Sequence, residues 1–288
     1  MWKEVVMKKT IANNVVAITG ASSGIGRSTA LAFAGEGAKL ALLSRSRSKL
    51  EAVAQEVRKR GGTALVVPTD VSSPESVQAA VDKVVSEYGR IDVFFNNAGK
   101  SFVGRADSVD FEDKTREMFE TDYLGAARMV RAVLPIMRQQ GSGHILNMSS
   151  VVGRKAFAGF GGYSSIMHAI DGYTSALRQE LKGTNIHVST IHPALTQTPL
   201  LADARPEDMP PAFRSLSPIP VEQVARAVVR GIRRNSARIV VPWQPRLLMF
   251  AEAISPRFGD LFVELLQNRV FGRVSGTFRG TTYQHELG

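Results

Sequence analysis

The sequence predicts a doubly wound α/β fold: a parallel sheet of about seven strands, covered by helices on both faces, with a helical C-terminal extension. Three observations carry this. Short β-branched runs alternate with longer helical patterns over about the first 240 residues, and a glycine-rich turn follows the first of those runs. The chain of 288 residues, 44% hydrophobic and 22% charged, is long enough to bury one large core. Strands separated by crossover helices run parallel, and a parallel sheet needs both faces covered.

Taken in order, residues 14–19 (NVVAIT) read as a strand and 25–34 as a helix opening on glycines. A second strand at 39–44 precedes a helix at 48–60, and a third at 64–68 precedes a helix at 74–88. A fourth strand at 91–96 leads to a long helix within 111–140. The fifth, 144–148, leads to a helix at 163–181, and the sixth, 187–192, to a helix at 221–233. A seventh strand follows at 238–241. Two segments break the alternation. Residues 194–220 are long, Pro-rich and mixed in polarity, which suits a mobile substrate lid. From Pro242 onward two short amphipathic helices are expected, broken at Pro256 and Gly259. This divides the chain into a main domain over 1–241 and an appendage over 242–288.

Composition excludes several chemistries. With no cysteine there is no disulfide framework and no thiolate metal site, and the five histidines have no paired spacing, so no metal site is expected. No stretch approaches 18 apolar residues, and residues 1–14 carry Lys3, Glu4, Lys8 and Lys9 without an apolar core, so a cytoplasmic location is expected. The net charge is +10. From Glu222 onward ten arginines, no lysine and five acids place half of that excess in the last quarter. No aromatic platform or reading helix accompanies the arginines, so a solvated surface is favoured over nucleic acid.

Thr19-Gly20-Ala21-Ser22-Ser23-Gly24-Ile25-Gly26 follows a strand and opens a helix, the setting in which glycines let the backbone approach a pyrophosphate. With Asn96-Asn97-Ala98-Gly99 after the fourth strand, and Ser150 thirteen residues ahead of Tyr163, this run resembles the short-chain dehydrogenase/reductase family. The resemblance extends from about residue 14 to 241. It implies a Rossmann-type domain that binds NAD or NADP and moves hydride between nicotinamide and a carbonyl or alcohol carbon. It further implies cofactor contacts at Gly20, Ser22, Ser23, Gly24, Ile25 and Gly26, with Asp70 and Val71 beside the adenine. Asn97, Ala98, Gly99, Tyr163 and Pro193 would line the cofactor, and Thr198 would hold its carboxamide end. A homodimer or homotetramer through the helices of Asp122 and Tyr163 is implied as well.

Charge selects between the two cofactors. An acid at the end of the second strand would accept from the ribose 2′-OH of NAD, whereas a 2′-phosphate needs a cation there. Ser44 and Arg45 end that strand, with Arg47 nearby and Arg27 just after the glycine turn, so NADP(H) is expected.

In the family a Tyr exchanges a proton with the substrate oxygen and a Ser orients that oxygen. A Lys four residues after the Tyr holds the ribose and lowers the Tyr pKa, and an Asn supports a water relay. Ser150 and Tyr163 fill the first two places. Met167 stands where the Lys would be, and Asp122 where the Asn would be. A thioether has no charge and no N–H to offer. An ionised Asp122 about 5 Å from the phenol would oppose tyrosinate by on the order of 3 kcal/mol. Tyr163 is therefore expected at or above the ordinary tyrosine value of about 10. Proton donation in carbonyl reduction survives that change better than alcohol oxidation, which needs tyrosinate. Lys155 and His168 are the nearby cations that could stand in for the lysine.

Val152, Phe157, Phe160, Leu195, Leu200, Leu201, Met209 and Phe213 are expected to make an apolar pocket wall. The expected function is NADPH-dependent reduction of an apolar ketone, aldehyde or lipid-like carbonyl compound with an impaired proton relay. The alternative is an NADP(H)-binding protein that has lost hydride transfer. Trp243, Leu247, Leu248, Met249 and Phe250 with Arg246 and Arg257 are also compatible with peripheral contact with an anionic membrane.

Overall fold

A computed structural model describes residues 10–201, 209, 213 and 217–264. The expectations for residues 1–9, for residues 202–208, 210–212 and 214–216 of the 194–220 segment, for the side chain of Leu201 and for the tail from 265, with Arg269, Arg273 and Arg279, lie outside the described residues. Seven strands form one parallel sheet in the order β3-β2-β1-β4-β5-β6-β7. They are β1 (Val15–Thr19), β2 (Lys39–Ser44), β3 (Thr63–Pro68), β4 (Val93–Asn96), β5 (Gly143–Met148), β6 (Ile186–Pro193) and β7 (Arg238–Val241). The helices are α1 (Gly24–Ala34), α2 (Arg47–Lys59), α3 (Pro74–Tyr88), α4 (Phe111–Met118), α5 (Gly125–Gln140), α6 (Gly161–Glu180), α7 (Val221–Arg233) and α8 (Pro245–Ile254). A last helical stretch, α9, spans 256–264.

Strand side chains alternate between faces, and both faces are covered, which is why β1 is buried at all five positions. Val16 and Ile18 pack with Leu40, Leu42, Phe33, Leu50, Val228 and Ile232 under α1, α2 and α7. Val15 and Ala17 face the other way, onto Val81, Phe94, Met129, Val133 and Leu177 under α3, α5 and α6. Strand order reverses between β1 and β4, which places a crevice beyond their carboxyl ends.

Two expectations are corrected. The long helix within 111–140 is three pieces, because a π-helical turn (Phe119–Leu124) separates α4 from α5. The π turn inserts an extra residue and turns Asp122 inward, where it is 4% exposed. In the tail the break falls at Ser255, with Pro256 opening the next helix, where its missing N–H costs nothing. Gly259 lies inside α9 and does not interrupt it. Among the described residues no helix is long and apolar enough to cross a membrane, and no group of acids and histidines could hold a metal.

Candidate active site

A cleft of about 500 Å³ opens beyond the carboxyl ends of β1, β2, β4, β5 and β6. The turn between β1 and α1 forms its floor. Gly20 and Gly24 have φ of +65° and +52°, a region that side chains rarely adopt. Ser23 precedes α1 without a side-chain capping bond, and no acid occupies the first turn. The leading N–H groups of α1 and its positive dipole end are thus free to meet an anion, and Ser22, Ser23, Gly24 and Ile25 line the cleft there. This cradle fits the pyrophosphate of a dinucleotide.

Asn97 braces the turn from below: its N–H donates to Thr19 Oγ1 at 2.9 Å and its Nδ2 donates to Thr19 O at 3.0 Å. Ala98 N–H donates to the same Thr19 hydroxyl at 3.0 Å. A buried polar chain continues from Asn96 Nδ2 to Asn147 Oδ1 at 2.8 Å, and from Asn147 Nδ2 to Thr174 Oγ1 at 2.9 Å. It ties β4 and β5 to α6, the helix that carries Tyr163.

Of the residues expected at the cofactor, Gly20, Ser22, Ser23, Gly24, Ile25, Ser44, Arg45, Asp70, Val71, Asn97, Ala98, Gly99, Tyr163, Pro193 and Thr198 all line this one cleft. Gly26, Arg27 and Arg47 do not. Gly26 lies beneath the turn, where a Cβ would come within 2.2 Å of Gly20 O, so its role is close packing. Arg27 is turned onto Glu56, with Nη2 2.6 Å from Oε2. Arg47 faces Glu51 across α2 at 4.0 Å. Lys49 and Ser46, which the sequence reading missed, line the cleft beside Arg45 instead. No acid offsets these cations in the first turn of α2. Asp70 holds its carboxylate on Ser72, accepting from the backbone N–H at 2.9 Å and from Oγ at 2.6 Å, and these bonds keep it below the usual carboxylate range.

Ser150, Tyr163, Asp122 and Met167 meet at the far wall of the cleft. Ser150 Oγ lies 3.5 Å from Pro193 O and accepts from Val152 N–H at 3.3 Å, and both Ser150 and Tyr163 line the cleft. Burial pushes the Tyr163 phenol well above its ordinary value, a charge on Asp122 would add to this, and the nearby Ser150 hydroxyl works against it. Asp122 Oδ1 accepts from Lys100 N–H at 2.9 Å. Burial nevertheless pushes Asp122 well above the usual carboxylate range, outweighing that bond and the Lys100 charge. Burial thus works against a charge on Asp122, and desolvation of the phenol itself, ahead of any charge on Asp122, leads the opposition to tyrosinate.

Neither candidate cation replaces the lysine. Lys155 is buried and its Nζ lies 2.9 Å from Glu252 Oε2 and 2.6 Å from Asp260 Oδ1, fastening the loop after Ser150 to α8 and α9. His168 is exposed, with Nδ1 2.8 Å from Ser164 O. Met167 is 3% exposed and packs with Val151, Val152, Ile166 and Ile170. A buried network behind the wall was also missed: His192 Nε2 is 2.9 Å from both Asp171 carboxylate oxygens, and Arg154 Nε is 2.6 Å from Oδ2. It joins β6, α6 and the turn after Ser150, and so fixes the backbone on which Ser150, Tyr163 and Pro193 stand. No local pattern in the sequence marks it, because its members are 17 to 38 positions apart in the chain.

Phe160 and Phe213 form the apolar end of the wall, with ring centroids 5.3 Å apart, and Phe157 packs edge-on against Phe213 at 4.8 Å. Val152, Leu195 and Leu200 line the same cleft, and Met209 packs against this cluster.

A profile of the short chain dehydrogenase family matches residues 14–209. An uncharacterized oxidoreductase of Listeria monocytogenes is 40% identical over 194 residues, covering 67% of this chain and 78% of its own. A protein named ketoacyl reductase HetN from Nostoc sp. is 33% identical over 258 residues, covering 87% and 88%. Among solved structures, a short-chain dehydrogenase/reductase from Burkholderia phymatum in complex with NAD superposes with TM-score 0.76 at 27% identity, covering 84% of this chain and 94% of that one. An alcohol dehydrogenase from Thermococcus sibiricus complexed with 5-hydroxy-NADP superposes at 0.70 with 28% identity, covering 79% and 94%. The glycine turn, the Ser150 and Tyr163 pair and these matches agree, and the chain belongs to the short-chain dehydrogenase/reductase family of oxidoreductases.

Proposed function

We propose that this protein is an NADPH-dependent reductase of apolar carbonyl compounds, acting in the cytoplasm as a homo-oligomer, with Tyr163 as a neutral proton donor. The observation that carries the reading is the Ser150 and Tyr163 pair on the wall of a cleft whose opposite end is basic. When bound, the cofactor supplies the hydride. Arg45 and Lys49 support a 2′-phosphate over a bare ribose hydroxyl, since no acid stands at the end of β2 or in the first turn of α2 to accept from that hydroxyl. Ser150 orients the substrate oxygen, and the Tyr163 O–H bond breaks to give that oxygen its proton. A phenol raised by burial is a weak donor, so this step is slow, and the reverse reaction, which starts from tyrosinate, is slower still. Phe160, Phe213, Leu195 and Leu200 favour an apolar substrate. Residues 194–220 serve as its lid: their described ends are pinned by Ala194 N–H to Val241 O at 2.8 Å and Ile219 N–H to Leu195 O at 2.8 Å.

A second reading rests on Met167. Because the lysine's place is apolar and both nearby cations are engaged elsewhere, the chain could bind NADP(H) without turning it over. The test is NADPH consumption over a panel of apolar aldehydes and ketones, with Tyr163→Phe alongside. Reduction predicts slow turnover that falls by about a hundredfold in the variant. NADPH binding with no turnover on any compound replaces the first reading by the second.

A further inference from the structure

Nine large apolar side chains are exposed among the described residues, and six of them lie between positions 243 and 261: Trp243, Leu247, Phe250, Ile254, Phe258 and Leu261. On α8, positions 247, 250 and 254 fall within an arc of about 60°, and the exposed Trp243 lies two residues before the helix. The opposite face of α8 is apolar too. Leu248 is buried there, and Met249 packs against the cluster of Phe160 and Phe213. A helix that is apolar on both sides is normally covered on both, and among the described residues α8 is covered on one.

Charge identifies the missing cover. From Glu222 onward the chain carries ten arginines against five acids. Two of those acids, Glu252 and Asp260, are bound to the buried Lys155. Arg246 and Arg257 flank the stripe, and Arg269, Arg273 and Arg279 follow it in sequence. A second copy of this chain would set arginines against arginines. We propose that the exposed face of α8 and α9 docks in the plane of an anionic lipid surface, with Trp243 at the headgroup level. Docking there places α8 between the bilayer and the apolar end of the cleft, against which Met249 packs. The proposal is independent of whether the protein turns NADPH over.

The chain has two tryptophans, Trp2 and Trp243, so a Trp2→Phe variant of the full chain reports on position 243 alone. It is mixed with vesicles of phosphatidylcholine, either pure or containing roughly one third phosphatidylglycerol. The expected result is a blue shift of emission and flotation with the anionic vesicles, at least about tenfold above the neutral ones. Adding Leu247→Asp and Phe250→Asp reduces flotation by about tenfold per side chain, while NADPH binding reports that the fold is kept. An unchanged emission with both vesicle types overturns the proposal. So does a dimer in sedimentation velocity that buries Trp243 and is lost in the Asp variant, since the cover is then a second copy. If the Asp variant fails to bind NADPH, the comparison of the two vesicle types decides alone.

Discussion

Replacing Met167 by lysine returns a cation to the face of α6 that carries Tyr163, and the size of the effect follows from the geometry. Residues four apart on a helix have Cβ atoms about 5–6 Å apart. At an effective dielectric near 20, a unit charge at that distance favours tyrosinate by roughly 3 kcal/mol, or about two pKa units. Met167 is 3% exposed but lines the cleft, into which the longer lysine side chain extends. Tyrosinate absorbance near 295 nm reads the result, provided that Tyr163 is separated from the other four tyrosines. Subtracting the titration of a Tyr163→Phe, Met167→Lys chain does this, and removes Tyr173, which burial pushes up to about 12. The expected outcome is one phenol in Met167→Lys that ionises about two units below its position in the unaltered chain. A Tyr163 titration that does not move would refute the electrostatic account of the missing lysine.

Three further outcomes follow from the geometry. Arg45→Ala should weaken NADPH binding by about tenfold and leave NADH unchanged, as read by quenching of protein fluorescence. Asp122 has a folded pKa above its unfolded value, so the folded state holds the extra proton and stability falls as pH rises from about 4 toward the folded pKa. Asp122→Asn should therefore raise Tm at pH 8 relative to the unaltered chain, with the gap shrinking at pH 5; a gap that widens at low pH contradicts the assignment. Lys155→Met leaves Glu252 partly buried without its partner, and a loss on the order of 2 kcal/mol in urea unfolding is expected.

The fold was legible because its signals are local. Buried strands show as apolar runs, and the turn at Gly20 to Gly26 marks both a strand end and a helix start. The π turn was not legible, since residues 111–140 have a helical pattern throughout and one inserted residue leaves no compositional trace. At the site, Ser150, Tyr163, Met167 and Asp122 were found by spacing. Arg27 and Arg47 were expected at the cofactor but do not line the cleft, because charge near a turn does not say which way a side chain points. Glu56 and Glu51 draw them off, and both partners lie on α2. Lys49 was missed for the same reason in reverse, and the Asp171, His192 and Arg154 network because only tertiary packing assembles it.

The most direct test of the account is NADPH consumption on one panel of apolar aldehydes and ketones, with the unaltered chain and the Asp122→Asn, Met167→Lys double variant side by side. The account predicts that both bind NADPH and that the variant turns over at least about tenfold faster, because its phenol regains a cation and loses an acidic neighbour. Equal rates would contradict it, and would mean that another group already does what Met167 cannot.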